Sequence, residues 1–306
     1  MINVKSELIK FKVFKVLIGF GVVSFKISKL GLVWRSDLLI EYVHGYATEE
    51  QQRLIEQAEY WRDKVLLRDL NVSAGEHLLE LGCGVGAVLG VLGKAFPGLN
   101  LAGIDLQPAQ IEYAQKHLTS LGLSNVDLRV GDASQLPWPD ASFDHVYTTW
   151  FLEHVSDPQA ILREAYRVLK PGGTITLNET DYTTILIWPD SSDFQYLQDS
   201  FSELFHHASV NPNVGRALGP LLLSAGFREV TNKSWGFYHF HSPGSEELRD
   251  YVEYICSCME PLMINMTQKL KRDPERLQYG LKFFRSLLDR PEGAAAQVIY
   301  RGSAKR

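Results

Sequence analysis

Short apolar runs and amphipathic stretches take turns along residues 78–179. Leu78, Leu79 and Leu81 are followed by glycines at 82, 84 and 86 and then by an apolar segment from Ala87, which predicts strand 78–82, a tight turn and helix 86–96. The pattern continues as strand 100–105, helix 108–121, strand 126–131, strand 143–148, helix 158–169 and strand 173–179. Strands alternating with helices imply a mostly parallel sheet covered on both faces, the doubly wound α/β class. Pro97-Gly98, Pro137, Pro139 and Pro171-Gly172-Gly173 fall between these elements as turn residues should.

On either side the alternation stops. Upstream, Thr48-Glu49-Glu50-Gln51 has the form of a capping box and predicts a helix to about Leu70, with Leu54, Ala58, Trp61 and Val65 buried. A helix just before the first strand tends to lie over the ligand end of such a sheet, which makes Tyr42, His44 and Tyr46 candidate lid residues. Downstream, residues 191–208 and 214–225 read as helices, 228–240 as one or two strands, and 244–290 as a helical insertion before a last strand. The predicted organisation is therefore an amino-terminal extension and lid (1–47), a sheet domain (48–190), a helical and strand region shaping a pocket (191–290) and a closing segment (291–306).

The first 36 residues follow a pattern of their own. Lys5, Lys12, Lys15, Lys26 and Lys29 fall in a wedge of roughly 120° when residues are advanced by about 100°, which predicts an amphipathic helix with a basic strip. Gly19, Gly21 and Gly31 weaken a continuous helix. The apolar stretch between Lys15 and Lys26 is too short to span a bilayer, and no small-residue cleavage site follows it, so a secretory leader is not expected. Two readings stay open. The segment packs on this subunit or is exchanged with a second copy in a homo-oligomer, or it makes a peripheral membrane contact through Phe and Val with lysines on anionic lipid.

A chain of 306 residues suffices for one large domain with an insertion. Its net charge of −5 argues against a general nucleic-acid binder, which needs a basic surface to neutralise phosphates. Three cysteines, Cys83, Cys256 and Cys258, form no disulfide framework, which fits a reducing, cytoplasmic setting. Cys256-x-Cys258 lacks a second ligand pair, so no metal is expected.

Ligands of such sheets bind beyond the carboxyl ends of the strands. Those ends carry Glu80 before the glycine turn, Asp105-Leu106-Gln107, Gly131-Asp132-Ala133, Thr149–His154 and Glu179–Tyr182. The glycines allow a ligand to lie on bare backbone, Glu80 suits a cationic or amine-bearing ligand, and Asp105 can accept from ribose hydroxyls. Gly82-x-Gly84-x-x-Ala87 also satisfies the dinucleotide fingerprint. Asp132 and Ala133 separate the two readings, because a carboxylate acceptor beside a backbone N–H suits an adenine edge and a nicotinamide enzyme has no need of it.

Over residues 75–180 the chain resembles the class I S-adenosylmethionine (SAM)-dependent methyltransferases. The resemblance rests on ELGCGVG at 80–86, ID at 104–105, GDASQLPWPDASFD at 131–144, WFLEH at 150–154 and VLKPGG at 168–173. It implies a Rossmann-like seven-stranded sheet whose last strand, at Gln297–Arg301, is antiparallel. It implies further that Gly82, Cys83 and Gly84 approach the methionine portion of SAM, that Asp105 binds the ribose, that Asp132 and Ala133 bind adenine, that Leu106 also touches the cofactor, and that Trp150 packs near the sulfonium. More loosely, GYATEEQQRL at 45–54, ETD at 179–181 and WPD at 188–190 are similar to bacterial secondary-metabolite methyltransferases of the teleocidin type.

Tyr182, Trp188, Phe194, Tyr196, Phe201, Phe205, Trp235, Phe237, Tyr238 and Phe240 supply large rings to the acceptor half, suggesting an apolar or aromatic small-molecule acceptor, although most are expected in the core. Methyl transfer from a sulfonium is an in-line displacement, so the protein must chiefly align the two reactants and exclude water. A hydroxyl acceptor needs a base, and an alkene carbon needs a carboxylate or ring face for the developing cation. The candidates are Glu153 and His154, Glu179, Asp181 and Tyr182, and His206 on the following helix. The acceptor atom, C, N or O, stays open. A non-catalytic SAM-binding scaffold and an NAD-dependent oxidoreductase are the alternatives. An adenine-N6 nucleic-acid methyltransferase is disfavoured, because Thr148-Thr149-Trp150-Phe151 replaces its Asp/Asn-Pro-Pro-aromatic tetrapeptide.

Overall fold

A computed structural model describes residues 48–306 and, before them, the backbone of residues 13–18, 21–28 and 31–32. The chain divides into two compact units, Met1–Glu41 and Tyr42–Arg306. In the first, Val13–Ile18 (β1), Gly21–Ser28 (β2) and Gly31–Leu32 (β3) form an antiparallel meander, with Val13 opposite Lys26, Ile18 opposite Gly21 and Ile27 opposite Leu32. Over these stretches the amphipathic helix expected for residues 1–36 is corrected to sheet. The residue types explain it: Val13, Phe14, Val16, Ile18, Val22, Val23, Phe25 and Ile27 are β-branched or aromatic and favour strands, while Gly21 and Gly31 disfavour a helix.

The second unit opens with Thr48–Trp61 (α1), which passes into a π-helical turn at Arg62–Leu66, short of the expected Leu70. The doubly wound half then follows as His77–Leu81 (β4), Ala87–Ala95 (α2), Asn100–Asp105 (β5), Pro108–Ser120 (α3), Asp127–Val130 (β6), Phe143–Thr149 (β7), Pro158–Val168 (α4) and Leu169–Thr180 (β8). Leu78, Leu79 and Leu81 are all fully buried, as a central parallel strand covered on both faces requires. Pro171-Gly172-Gly173 lies inside β8 rather than in a turn before it. Gly172 adopts φ +81°, and Arg306 donates its N–H to the Gly173 carbonyl at 3.0 Å, which keeps this irregular start in the ladder.

Beyond β8 come Leu186–Trp188 (β9), Ser192–His207 (α5), Leu218–Ser224 (α6), Arg228–Phe240 (β10), Glu247–Met259 (α7), Met263–Leu270 (α8), Pro274–Ser286 (α9) and Ala294–Lys305 (β11). The sheet order is β10-β11-β8-β7-β4-β5-β6, with β9 paired to the start of β11. β4 to β8 run parallel, and β11 is antiparallel to both β8 and β10. The last strand is thus longer than Gln297–Arg301 and sits inside the sheet. Strand order reverses at β4, which opens a crevice beyond its carboxyl end. Among the described residues no helix is long and apolar enough to cross a membrane.

The helices after β9 build a core of their own. Phe194 of α5 stacks on Phe284 of α9 with ring centroids 4.9 Å apart, and Leu197, Phe201, Tyr251 and Leu281 are fully buried around them. The two helices approach closely at Gly280, where an added Cβ would run into the Asp193 carbonyl and lie 3.0 Å from the Leu197 Cβ. Gly280→Ala should therefore push α5 and α9 apart and destabilise the protein by about 1–3 kcal/mol, as overpacking does; a thermal melt indistinguishable from that of the unsubstituted chain would show that the contact yields freely.

Candidate functional site

The turn from β4 into α2 is built by three glycines at φ +66° (Gly82), +48° (Gly84) and +72° (Gly86), a region that side chains strongly disfavour. The turn is fixed to the next strand through Asp105, whose Oδ2 accepts from the Gly84 N–H at 2.9 Å and whose Oδ1 accepts from the Gln107 N–H at 2.9 Å. Gly131 donates its N–H to the Asp105 carbonyl at 2.9 Å, which ties in the end of β6 as well. Burial pushes the Asp105 carboxyl up, and the N–H groups of Gln107, Gly84 and Leu106 oppose that shift.

Glu80 lies beneath this turn, 2% exposed, and its Oε2 has no partner among the described residues. Burial and the nearby Asp105 charge push its carboxyl well above the usual range. A carboxylate in such a place fits a ligand that brings a donor or a positive charge. Above the turn, Leu54 of α1 lies 3.8 Å from where a Gly84 Cβ would be, and Gln51 donates to Gln110 of α3 at 3.0 Å, so α1 does cover this end of the sheet. Leu106 is 52% exposed beside Asp105, a flat apolar surface for a base. Asp132 is exposed with its Oδ1 held by the Ser134 N–H at 2.8 Å, and Ala133 is buried behind it.

Two members of the glycine turn behave differently from expectation. The Cys83 side chain points into the core against Gly103, where burial pushes its thiol well up, so only its backbone faces the crevice. At Gly82 the bare backbone is covered by the Phe151 ring, which an added Cβ would strike. Trp150, Glu153 and His154 of WFLEH are site candidates on sequence, but no local pattern marks the Phe151 ring as belonging over Gly82.

At the carboxyl ends of β7 and β8, Trp150 takes a left-handed φ of +48°, donates its backbone N–H to the Asn178 carbonyl at 2.9 Å and its indole N–H to Thr180 Oγ1 at 2.9 Å. Its ring packs on Trp61 at 6.1 Å between centroids. Behind it, Glu179 is fully buried and its Oε1 accepts from the N–H groups of Phe151 (3.0 Å) and Leu152 (2.8 Å). Tyr182 donates to Glu153 Oε1 at 3.1 Å, and His154 Nε2 lies 3.4 Å from that oxygen while its ring stacks on Phe205 at 5.5 Å. Glu153, His154, Glu179 and Tyr182 thus come together as one group.

Other candidates do not join it. Asp181 is 2% exposed, with Oδ1 taken by the Thr183 N–H and hydroxyl and Oδ2 paired with Arg216, so it braces the following turn rather than facing an acceptor. His206 is exposed at the end of α5; its neighbour Phe205 turns inward because adjacent helical residues point about 100° apart. Of the ten aromatic residues named for the acceptor half, Tyr182, Phe194, Phe201 and Phe205 are buried, while Trp188, Tyr238 and Phe240 are more than half exposed. Tyr42, His44 and Tyr46 lie outside the described residues. Among the described residues no group of three His, Cys, Asp or Glu could hold a metal ion.

Residues 79–177 match the family described as Methyltransferase domain. The chain is 37% identical over 168 residues to an uncharacterized 37.1 kDa protein in transposon TN4556 of Streptomyces fradiae, an alignment covering 55% of this chain and 48% of that protein. It is 35% identical over 153 residues to demethylmenaquinone methyltransferase of Staphylococcus aureus, covering 49% of this chain and 62% of that enzyme. The chain therefore spans roughly half to three fifths of the length of these curated relatives. Among solved structures, phosphoethanolamine N-methyltransferase 2 of Haemonchus contortus in complex with S-adenosyl-L-methionine superposes with a TM-score of 0.57 at 16% identity, covering 96% of this chain and 71% of that one. The YcgJ protein of Bacillus subtilis superposes with a TM-score of 0.50 at 17% identity, covering 85% and 99%. Both share the fold.

The buried carboxyl of Glu179 makes stability depend on pH. Burial and the Glu153 charge raise its folded value above the usual range, so its contribution is fully present below the unfolded value of about 4.3 and is lost as pH rises through the folded value. Glu179→Gln keeps a carbonyl acceptor for Phe151 and Leu152, and should gain stability relative to the unsubstituted chain between about pH 4 and about pH 8. Urea midpoints at the two pH values read this out, and a constant gap would mean that Glu179 ionises without penalty.

Proposed function

With a class I methyltransferase domain in the chain as premise, we propose that this protein is a SAM-dependent methyltransferase acting on an apolar or aromatic small molecule. One observation carries the reading: a glycine turn held open by the Gly84–Asp105 hydrogen bond, with the unpartnered Glu80 Oε2 beneath it. These residues fit the cofactor. Gly84 and Glu80 would hold its methionine portion, Asp105 its ribose hydroxyls, Leu106, Asp132 and Ala133 its adenine, and Trp150 would lie beside its sulfonium. SAM, when bound, supplies a methyl group activated by positive charge on sulfur.

The chain's own part is orientation and exclusion of water. α1 covers the glycine turn through Leu54, and Trp150, backed by the buried Trp61, offers a ring that favours a cation. His154, oriented by Glu153 and by stacking on Phe205, is the group suited to take a proton from a hydroxyl acceptor. The relatives named demethylmenaquinone methyltransferase support a small-molecule acceptor. Three free, buried cysteines support a reducing, cytoplasmic setting for the enzyme.

Calorimetric titration with S-adenosylhomocysteine tests the donor site. The full chain should bind it and should not bind NAD, and Asp105→Ala should weaken binding roughly 10- to 100-fold, the loss of hydrogen bonds to a charged group. Binding of NAD without S-adenosylhomocysteine would overturn the reading.

A further inference from the structure

Four side chains on the α1 side of the sheet carry buried polar atoms with no hydrogen-bond partner among the described residues. His239 is 5% exposed with both ring nitrogens unpaired, Gln297 is 2% exposed with its Oε1 unpaired, and the hydroxyls of Tyr251 and Tyr60 are buried and unpaired as well. Phe237 and His239 are two apart on β10 and share a face, and Gln297 stands directly opposite Phe237 across the β10–β11 ladder, which puts it on that face too. Tyr251 of α7 stacks on His239 with centroids 4.8 Å apart. Trp61 packs edge-on against both Phe237 and Tyr60 at 4.9 Å and also meets Trp150 at 6.1 Å. The cluster is therefore one indole away from the turn at the carboxyl end of β7.

An unpaired buried polar group costs about 1–3 kcal/mol, so several in one place point to a partner that supplies the missing bonds. Their chemistry says which. The Gln297 amide oxygen can only accept, so the partner must donate. Burial and the Lys64 charge hold the His239 imidazole below its usual range, against Glu247 and Asp250; neutral, it offers one donor and one acceptor. The surrounding groups are ring faces and edges. A flat aromatic body carrying a hydroxyl can donate to Gln297, accept from the His239 N–H and lie against the rings, whereas a bare hydrocarbon or a quinone carbonyl leaves Gln297 unpaired.

We propose that this cluster is the acceptor subsite, that it takes the hydroxyl of a fused aromatic alcohol, and that His239 and Gln297 set this specificity. The inference rests on the methyltransferase reading and names the substrate class for it. The test is equilibrium dialysis of 2-naphthol and of naphthalene against the full chain saturated with S-adenosylhomocysteine. The unsubstituted chain should hold 2-naphthol at least about tenfold more tightly than naphthalene. In His239→Phe and Gln297→Met that advantage should fall below about threefold, with naphthalene and S-adenosylhomocysteine binding unchanged. Both variants should also melt no lower than the original, since each replaces an unsatisfied buried group with an apolar one of similar size. Equal binding of the two compounds, binding of neither, or an advantage that survives both substitutions overturns the proposal. Failure of S-adenosylhomocysteine itself to bind strikes the methyltransferase reading instead, so the two failures are distinguishable.

Discussion

One carboxylate in this protein has both oxygens committed to backbone. Asp105 receives the Gly84 N–H on one oxygen and the Gln107 N–H on the other, so the glycine turn after β4 and the start of α3 are both referred to a single side chain. The left-handed torsions at Gly82, Gly84 and Gly86 set the course of that turn, and Asp105 fixes it in place. Because each oxygen retains a second lone pair, the same carboxylate can serve a ligand without releasing the loops it holds. Position and recognition are thus two uses of one group, and the crevice beyond β4 is organised before anything enters it.

A second buried acid works by the same logic on the neighbouring turn. Glu179 reaches across from β8 to collect the Phe151 and Leu152 N–H groups, which fixes the left-handed Trp150 and the group of Glu153, His154 and Tyr182 behind it. Burial and the neighbouring Glu153 charge both raise the cost of ionising Glu179. The arrangement persists because Glu179 supplies the acceptor for those N–H groups, and an unmet buried donor is expensive.

The parallel half of the fold was legible in the sequence because its signals are local. Apolar runs such as Leu78–Leu81, glycines at the turn and proline-glycine punctuation each act over a few residues. What stayed hidden depends on partners far along the chain. Asp181 was available as an acceptor-facing acid until Arg216 is seen paired with it, and Gly82 as open backbone until Phe151 is seen upon it. His239 and the lone Gln297 in the apolar run of β11 were each visible, yet only the β10–β11 register puts them on one face. The amino-terminal lysines misled for a related reason: spacing compatible with a helix carries no weight where β-branched residues and glycines favour strands.

The place of β11 in the sheet has a consequence for how the protein is made. Residues 294–305 fill the gap between β8 and β10, pairing Thr174–Thr180 on one side and Arg228–Phe240 on the other. Until that strand is synthesised, β8 presents a bare edge and β10 has no neighbouring strand at all. A nascent chain can close the parallel half early but must then hold an adhesive, unpaired strand in waiting while more than a hundred further residues emerge. Exposure of that edge during translation is the vulnerability this topology builds in.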